Sequence, residues 1–235
     1  MSSSQKELSN THPEFLEITL HDLLRMTSGI QPLDKDLPYI MRKNPSDWVQ
    51  PIMQLTIVAP KQFAYKGCDT HLLSAIISRS TGLNAHSFAQ ENLFNPLGIC
   101  ASEWDKDPQG NSLGSTGLKM TARDLMKVGA LYLDCGKWNG RATVSQEWVE
   151  RSTTSQSQGD PLYGMYGYGW WVSSFHGEDV YMSVGAKGQY LINIPKLKLT
   201  VVLTSDPARE QSDSKSILVD RVLPILQEAI HGMVS

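Results

Sequence analysis

The sequence has little cysteine, no long apolar run and no excess of either charge, and each absence excludes a class of protein. Three cysteines, Cys68, Cys100 and Cys135, are too few and too widely spaced for a disulfide framework or a zinc site. No apolar run approaches the ~18 residues that a membrane-spanning helix needs. The 21 Lys and Arg nearly balance the 24 Asp and Glu, for a net charge of −3, which argues against a non-specific nucleic-acid binder.

Histidines and the first residues carry no clear signal either. The six histidines show no H-x-x-x-H spacing, so we expect no metal, and nothing indicates another cofactor. Residues 1–17 are predicted to form a polar terminus without ordered structure. Met1 to Asn10 lack the apolar centre of a signal peptide, and the odd cysteine count mildly favours a reducing compartment, so a cytoplasmic location is slightly favoured.

Residues 18–160 of the 235 have a mainly helical pattern. Apolar residues at helical spacing follow a capping residue at four places, which predicts helices that begin near Thr19, Asp69, Thr121 and Ser145. Thr19 with Asp22, and Thr121 with Asp124, have the spacing of a capping box. The segment Ser152–Gly159 is rich in Ser, Thr and Gln and is predicted to be a surface loop.

Residues 161–235 have the pattern of a sheet followed by a helix. Short runs rich in β-branched and aromatic residues predict four strands, at Tyr168–Ser173, Val180–Val184, Gln189–Ile194 and Leu199–Thr204. Their short connections indicate an antiparallel meander. An amphipathic helix from about Ser214, with Pro224 as a candidate kink, is expected to cover the sheet. The predicted fold class is therefore α+β.

Six segments occur in an order that is characteristic of one superfamily. They are ITLHDLLRMTSGI (Ile18–Ile30), Phe63–Gly82, Leu93–Ile99, Gly117–Gly140, Tyr166–Val172 and Val184–Ser205. Together they resemble the serine β-lactamase-like hydrolases, which include class C β-lactamases, DD-peptidases, esterases and 6-aminohexanoate-dimer hydrolases. The resemblance implies a β-lactamase/transpeptidase-like fold and acyl transfer through a serine nucleophile.

The resemblance also assigns roles to particular residues. Tyr65 matches the family tyrosine of a Y-x-N-like motif, which helps to move the proton, although Gly67 replaces the frequent Asn. The third family motif maps to Gly185–Gln189, where Lys187 or the backbone around Gly188 would be the donor to the substrate and the oxyanion. This sequence reads AKG there, where the family reads KTG.

The family nucleophile has no clear counterpart. In the family an S-x-x-K motif lies several tens of residues before the ITLHDLL-like segment, but only seventeen residues precede Ile18. Ser3 with Lys6, and Ser212 with Lys215, fit the spacing, but two such pairs are about what chance gives. A frayed terminus cannot hold a nucleophile beside its lysine, so Ser3 and Lys6 are interpreted as accidental. We expect the nucleophile elements to be missing, as in a truncated product, a natural fragment or a degenerate homologue.

Several of these residues also have an ordinary structural explanation. Tyr65 could be a core tyrosine with a satisfied hydroxyl, and Lys187 a solvated residue of a hairpin turn. A substrate-stacking rim could be formed by Tyr166, Tyr168, Trp170 and Trp171, but alternate aromatic residues on a strand more often pack the two faces of a sheet. The substrate-binding candidates are therefore Lys187, Gly188, Gln189 and Trp171. Cys68, three residues before His71, is expected to be a small buried residue and not a nucleophile.

The sequence therefore favours a hydrolase-family domain that acts on amide or ester bonds through an acyl-enzyme, with the nucleophile outside this chain. The alternative is a non-catalytic homologue that binds a peptide-like or cell-wall ligand. The expected partner is a small-molecule or peptide-like substrate. Members of one fold accept lactams, esters or oligoamides according to their loops, so the sequence does not identify which of these it is. Self-association is expected through the apolar face that missing elements would leave exposed.

Overall fold

A computed structural model describes residues 13–31, 46–100, 102–175, 177–206, 216, 220 and 222–234. The chain divides into two compact units, Met1–Lys119 and Met120–Ser235. Ser3, Lys6, Ser212, Ser214 and Lys215 lie outside the described residues. Within the described part, no helix is long and apolar enough to cross a membrane.

The first unit is mainly helical, as the sequence predicts. It contains a 3-10 helix at Pro13–Glu17, α1 (Leu20–Leu24), α2 (Val49–Met53), α3 (Gly67–Thr81), α4 (Ala85–Ala89), a π-helical turn at Gln90–Phe94, and the paired strands β1 (Glu103–Trp104) and β2 (Leu118–Lys119). Pro13–Glu17, the end of the terminus that was expected to lack ordered structure, form this 3-10 helix, and residues 1–12 lie outside the described residues. The predicted capping box of α1 is confirmed, because the Asp22 N–H donates to Thr19 Oγ1 at 3.2 Å and the Thr19 N–H donates to Asp22 Oδ2 at 3.0 Å.

Helix α3 begins two residues earlier than predicted. Its N-cap is Lys66, whose backbone is extended at φ −156° and ψ 147°, and Asp69 lies inside the first turn. The sequence pattern suggested Asp69 as the cap because aspartate is a common capping residue. The structure instead directs the Asp69 carboxylate to Ser28, so a tertiary contact replaces the local one. The helix ends before Gly82, which has a left-handed φ of 75°.

Helix α3 is held against the loop that connects β1 with β2. The Ser74 hydroxyl donates to the Ser112 carbonyl at 2.6 Å, and both side chains are buried. A Cβ at Gly114 would meet the Thr70 carbonyl oxygen at 2.1 Å, so only glycine allows this approach. The surrounding core of the first unit consists of Leu23, Ile30, Trp48, Ile52, Cys68, Leu72 and Leu113.

The second unit contains helices and an antiparallel sheet. Its elements are α5 (Ala122–Leu133), β3 (Lys137–Trp138), β4 (Arg141–Ala142), α6 (Gln146–Ser152), β5 (Ser157–Asp160), β6 (Gly164–Tyr166), β7 (Trp171–Phe175), β8 (Glu178–Gly185), β9 (Gln189–Ile194), a 3-10 turn at Pro195–Leu197, β10 (Leu199–Leu203) and α7 (Leu223–Val234). Thr121 and Ser145 cap α5 and α6 as predicted, each accepting a backbone N–H three residues on.

The main sheet is an antiparallel meander with the order β10-β9-β8-β7-β6-β5. The four predicted strands are therefore confirmed, although the first begins at Trp171 and not at Tyr168. The structure adds β5 and β6, so the predicted loop at Ser152–Gly159 is wrong from Ser157 onward. Strand β5 lacks β-branched residues, and it forms because β6 supplies backbone partners across an irregular register. Tertiary pairing thus overrides local propensity here.

Helix α5 packs on β9 and β10. Leu125 and Val128 of the helix contact a cluster that includes Trp170 and Leu191. The Asn193 Nδ2 donates to the Gly129 carbonyl at 3.0 Å, and a Cβ at Gly129 would meet the Thr200 methyl at 2.6 Å. The close approach of helix and sheet therefore depends on a glycine in the helix.

The terminal helix is confirmed over Leu223–Val234, and Val222 and Leu226 are buried. Pro224 is the second residue of this α-helix, and Asp220 and Val222 shortly before it are π-helical. The kink at Pro224 stays a prediction. The helices and the antiparallel sheet together confirm the α+β class.

The Gly114 approach can be tested by adding one methyl group. We expect Gly114→Ala to lower the free energy of unfolding by about 2 kcal/mol, because the contacted carbonyl is backbone and cannot rotate away. Gly232→Ala is the matched control, since nothing lies within 4 Å of its added Cβ, and it should leave stability unchanged or slightly higher. Urea unfolding followed by tryptophan fluorescence measures both, and equal stabilities would contradict the close approach.

Candidate active site

Tyr65 lies at the end of an extended segment that is paired with the residues after α1. The Ala64 N–H donates to the Met26 carbonyl at 2.9 Å, and the Lys61 N–H donates to the Thr27 carbonyl at 3.0 Å. Earlier in the same segment, residues 56–58 pair with residues 29–31 around an antiparallel bridge. The Tyr65 side chain is 57% exposed. The family-like segment Ile18–Ile30 therefore pairs with the chain that leads into the family-like segment Phe63–Gly82, and Tyr65 follows this pairing.

A glycine makes this pairing possible. Gly29 has a φ of 77°, and a Cβ there would meet the Pro60 Cα at 2.6 Å. Both facts require glycine, because an L side chain disfavours that φ and would collide with the opposite backbone. The Gly29 carbonyl accepts the Val58 N–H at 2.8 Å, which holds the two segments together at this point.

A buried polar network lies behind the tyrosine. Lys66 is 4% exposed, and its Nζ donates to the Ile30 carbonyl at 3.1 Å. The Ile30 N–H donates to Ser28 Oγ at 3.2 Å, and that hydroxyl donates to Asp69 Oδ1 at 2.7 Å. Tyr65 is exposed while Lys66 is buried, as the alternation of an extended segment predicts. The Lys66 ammonium is thus directed away from the side on which Tyr65 is exposed.

Asp22 fastens the same region from α1. Its carboxylate accepts from Lys61 Nζ at 2.5 Å, Arg25 Nη2 at 3.2 Å and Thr19 Oγ1 at 2.6 Å. Burial favours the neutral acid, but the hydrogen bonds from Lys61 and Thr19 outweigh it and hold the pKa of Asp22 well below its usual range. The carboxylate therefore stays charged and links α1 to the turn at Lys61 that precedes Tyr65.

His71 of α3 is fully buried beside Asp107. The ring Nε2 lies 3.2 Å from Asp107 Oδ2, and the Gly114 N–H donates to Nδ1 at 3.4 Å. This pattern requires the proton on Nε2. Burial lowers the pKa of His71, although the Asp107 carboxylate opposes the shift. Both ring nitrogens are engaged, so a Cys68–His71 nucleophilic pair is not formed, and Cys68 is buried as expected.

A cavity of about 230 Å³ opens in the first unit. It is lined by Glu14, Glu17, Ile18, Asp22, Ser28, Ile57, Pro60 and Lys61. Tyr65 does not line it, so the cavity and the predicted catalytic tyrosine are separate features of this unit.

The predicted substrate-binding residues of the third motif form the β8–β9 hairpin. Lys187 and Gly188 have left-handed φ values of 60° and 87°, and Lys187 is exposed. The Gln189 Nε2 donates to the Ser205 carbonyl at 2.8 Å, and the Ser205 hydroxyl donates to the Lys187 carbonyl. Gln189 and Ser205 therefore brace the turn that carries Lys187.

Trp171 is buried on β7. Its ring contacts Tyr163 at 5.1 Å and Tyr166 at 4.9 Å between centroids. At 5% exposure it presents almost no surface, which favours the packing explanation. Trp170 is also buried and lies against Tyr132 and Tyr181. Burial raises the pKa of Tyr181 to about 12, so this tyrosine stays neutral and is not a candidate base.

The predicted site residues therefore divide between the units. Tyr65 belongs to the first unit, whereas Lys187, Gly188, Gln189 and Trp171 belong to the second. The candidate nucleophile pair, Ser3 and Lys6, lies outside the described residues. No group of three or more His, Cys, Asp or Glu in the part of the chain described could hold a metal ion.

Sequence reasoning missed the supporting network of Ser28, Asp69 and Lys66. Ser28 lies in TSG, and polar residues in an otherwise apolar family segment are the signal that could have identified it. The sequence pattern predicts a capping role for Asp69 and no buried contact for Lys66. Their buried contacts join residues 36 and 41 positions apart, which local patterns do not reveal.

The family model for β-lactamases matches residues 8–220. This chain belongs to the β-lactamase family. The 6-aminohexanoate-dimer hydrolase of Paenarthrobacter ureafaciens is 29% identical over 154 residues, which cover 61% of this chain and 39% of that protein. The family membership confirms the resemblance seen in the sequence.

Solved structures agree on the fold. A Bacillus anthracis protein provisionally named 6-aminohexanoate-dimer hydrolase has a TM-score of 0.77 at 24% identity, covering 97% of this chain and 64% of its own. The octameric penicillin-binding protein homologue from Pyrococcus abyssi has a TM-score of 0.68 at 22% identity, and the match covers 95% of this chain and 61% of that protein. This chain spans less than two thirds of the length of each of these three relatives.

The buried histidine predicts a pH dependence of stability. Because the folded pKa of His71 is below the ordinary 6.5, the unfolded chain binds a proton more readily than the folded chain. The free energy of unfolding should therefore decrease as the pH falls below about 6.5, by at most about 1.4 kcal/mol per pH unit for this group. Urea unfolding at pH 5.5 to 8 measures the slope.

His71→Gln removes this titration and should flatten the slope, while His86→Gln is the control for the loss of a histidine. A slope that survives His71→Gln unchanged would show that another group causes it.

Proposed function

We propose that this chain is part of a serine hydrolase that cleaves amide or ester bonds through an acyl-enzyme, with the nucleophile outside the 235 residues. The observation that carries the proposal is the placement of Tyr65, which is 57% exposed at the end of a segment held by backbone pairing and a buried polar network. Membership of the β-lactamase family supports the reaction class.

In the proposed reaction a serine Oγ attacks the substrate carbonyl carbon and loses its proton to a base. Tyr65 accepts or relays that proton, which is then delivered to the departing amine or alcohol as its bond to the carbonyl breaks. Water later attacks the acyl-serine and releases the acid. Tyr65 needs a nearby ammonium to lower its pKa, and Lys66 is buried and bonded to Ile30. The lysine of the S-x-x-K motif is therefore the proposed activator.

The β8–β9 hairpin is the proposed substrate side of the site. Lys187 and the backbone at Gly188 are the proposed donors to the substrate, and Gln189 acts by bracing the turn through Ser205. Trp171 has little exposed surface, so its proposed contribution is the packing of β7 and not direct stacking on the substrate.

The nucleophile can be located by acylation. We expect the 235-residue chain to show no serine adduct with a chromogenic β-lactam or an activated ester, and Ser3→Ala to change nothing, because a loose S-x-x-K match holds no catalytic geometry. A longer gene product with an S-x-x-K segment ahead of Ile18 should be acylated, and Tyr65→Phe should slow acylation about 10²- to 10⁴-fold. Intact-mass spectrometry detects the adduct, and peptide mapping locates it.

Each outcome discriminates between the hypotheses. Acylation of the chain that Ser3→Ala abolishes would show that Ser3 is the nucleophile. Acylation that survives Ser3→Ala but is lost in Tyr65→Phe would indicate another serine. Binding of a peptide-like or cell-wall ligand with no adduct, in a gene product that lacks an upstream S-x-x-K segment, would support the non-catalytic alternative.

Self-association is a further part of the proposal. Three apolar residues of the first unit are largely exposed: Leu16 at 65%, Leu20 at 55% and Val58 at 54%. They lie within two positions in the sequence of Ile18 or Ile57, which line the cavity of this unit. We expect light scattering at high concentration to give a mass above that of a monomer, because exposed apolar side chains favour association. Leu20→Lys should reduce that mass, whereas Met126→Lys, at a 47% exposed residue of the second unit, should not. A monodisperse monomer would contradict this expectation.

A further inference from the structure

Lys66 is an unusual residue to find buried beside an exposed tyrosine. It is the N-cap of α3 and follows Tyr65 directly, yet only 4% of it is exposed. Burying an ammonium is costly unless hydrogen bonds compensate, and lysine is rarely buried for packing alone. The Lys66 Nζ donates to the Ile30 carbonyl at 3.1 Å, which ties the start of α3 to the segment after α1.

A second buried link lies one helical turn farther along. Asp69 is fully buried and accepts the Ser28 hydroxyl at 2.7 Å, while Ser28 accepts the Ile30 N–H at 3.2 Å. Both backbone groups of Ile30 are therefore engaged by this network, the carbonyl by Lys66 and the N–H by Ser28. Ile30 itself is fully buried in the core of the unit and cannot move without disturbing that core.

We propose that Lys66, Ser28 and Asp69 are positioning residues for Tyr65. They fix the backbone on the helical side of the tyrosine, and the Ala64–Met26 hydrogen bond fixes it on the other side. The backbone of the tyrosine is then held on both sides, which reduces the motion of its hydroxyl. What the tyrosine does chemically rests on the proposed function, but its placement by this network does not.

The chain offers a matched pair of lysines for the test. Lys66→Met keeps an unbranched side chain of similar length and removes the hydrogen bond to Ile30. Lys119→Met makes the same change in the same unit, at a side chain that is 59% exposed and bonded to Asp105. Any effect of losing a lysine as such appears in both variants, and an effect of losing the buried link appears only in the first.

The placement of Tyr65 can be read by fluorine NMR of the whole chain labelled with 3-fluorotyrosine. The chain has 8 tyrosines, and the signal that disappears in Tyr65→Phe is that of Tyr65. In Lys66→Met we expect this signal to shift or to broaden at least about twofold, because a freed backbone lets the ring sample more environments. The signals of the other tyrosines should stay as in the unchanged chain, and Lys119→Met should alter none.

A Tyr65 signal that is the same in folded Lys66→Met and in Lys119→Met would overturn the proposal. If Lys66→Met unfolds the first unit, circular dichroism detects the loss of its helices, and Ser28→Ala then decides by the same fluorine readout. That variant removes the hydroxyl between Ile30 and Asp69 and leaves Lys66 in place. An unchanged Tyr65 signal in folded Ser28→Ala, or its unfolding like Lys66→Met, would show that the network is structural and does not act on Tyr65 in particular.

Kinetics separate this inference from the proposed function. In a gene product that also carries the nucleophile, Lys66→Met should lower kcat about 10- to 100-fold and leave KM within about twofold, since small displacements of a catalytic group have such effects. A shifted Tyr65 signal without any hydrolysis by that gene product would sustain the positioning and reject the hydrolase. Hydrolysis with the same kcat in Lys66→Met and Lys119→Met would reject the positioning and sustain the hydrolase.

Discussion

The first unit depends on the antiparallel pairing of residues 26–31 with residues 56–64. It joins the end of one family segment to the start of another, and Tyr65 follows directly. Backbone hydrogen bonds of this kind fix the relative direction of the two segments but let the segments twist against each other. The paired segments are also short. Side chains behind them supply the missing rigidity: Asp22 binds Lys61 at one end, and Lys66 binds Ile30 at the other. Charged groups thus set the geometry that the apolar core alone would leave loose.

In the second unit, a tight turn holds the exposed Lys187 in place. A hairpin loop that carries an exposed lysine would be mobile if only the ends of its strands held it. Here Gln189 and Ser205 bind the loop from the neighbouring strand end, and left-handed backbone at Lys187 and Gly188 closes it. In both units a residue proposed to face the substrate is therefore exposed, while its neighbours carry the bonds that hold it.

The sequence predicts the local features well and the tertiary ones poorly. The capping box at Thr19, the caps at Thr121 and Ser145, and strand Gln189–Ile194 depend on neighbouring residues, so pattern identifies them. Strand Ser157–Asp160 was missed because its partner strand, not its composition, makes it a strand. The local pattern predicts a cap at Asp69 because Ser28, which donates to its carboxylate, lies 41 positions away in the sequence. Tyr65 itself was found only through resemblance to a family.

The location of charge also explains how the start of α3 is held without a side chain at its first residue. That residue is Gly67, at a position where the sequence resemblance implies an Asn. Lys66 and Asp69 flank that glycine and bind the segment after α1 from both sides of it. Two buried polar contacts thus hold the start of α3 on either side of a residue that has no side chain. The backbone that presents Tyr65 is fixed by its neighbours and not by the first residue of the helix.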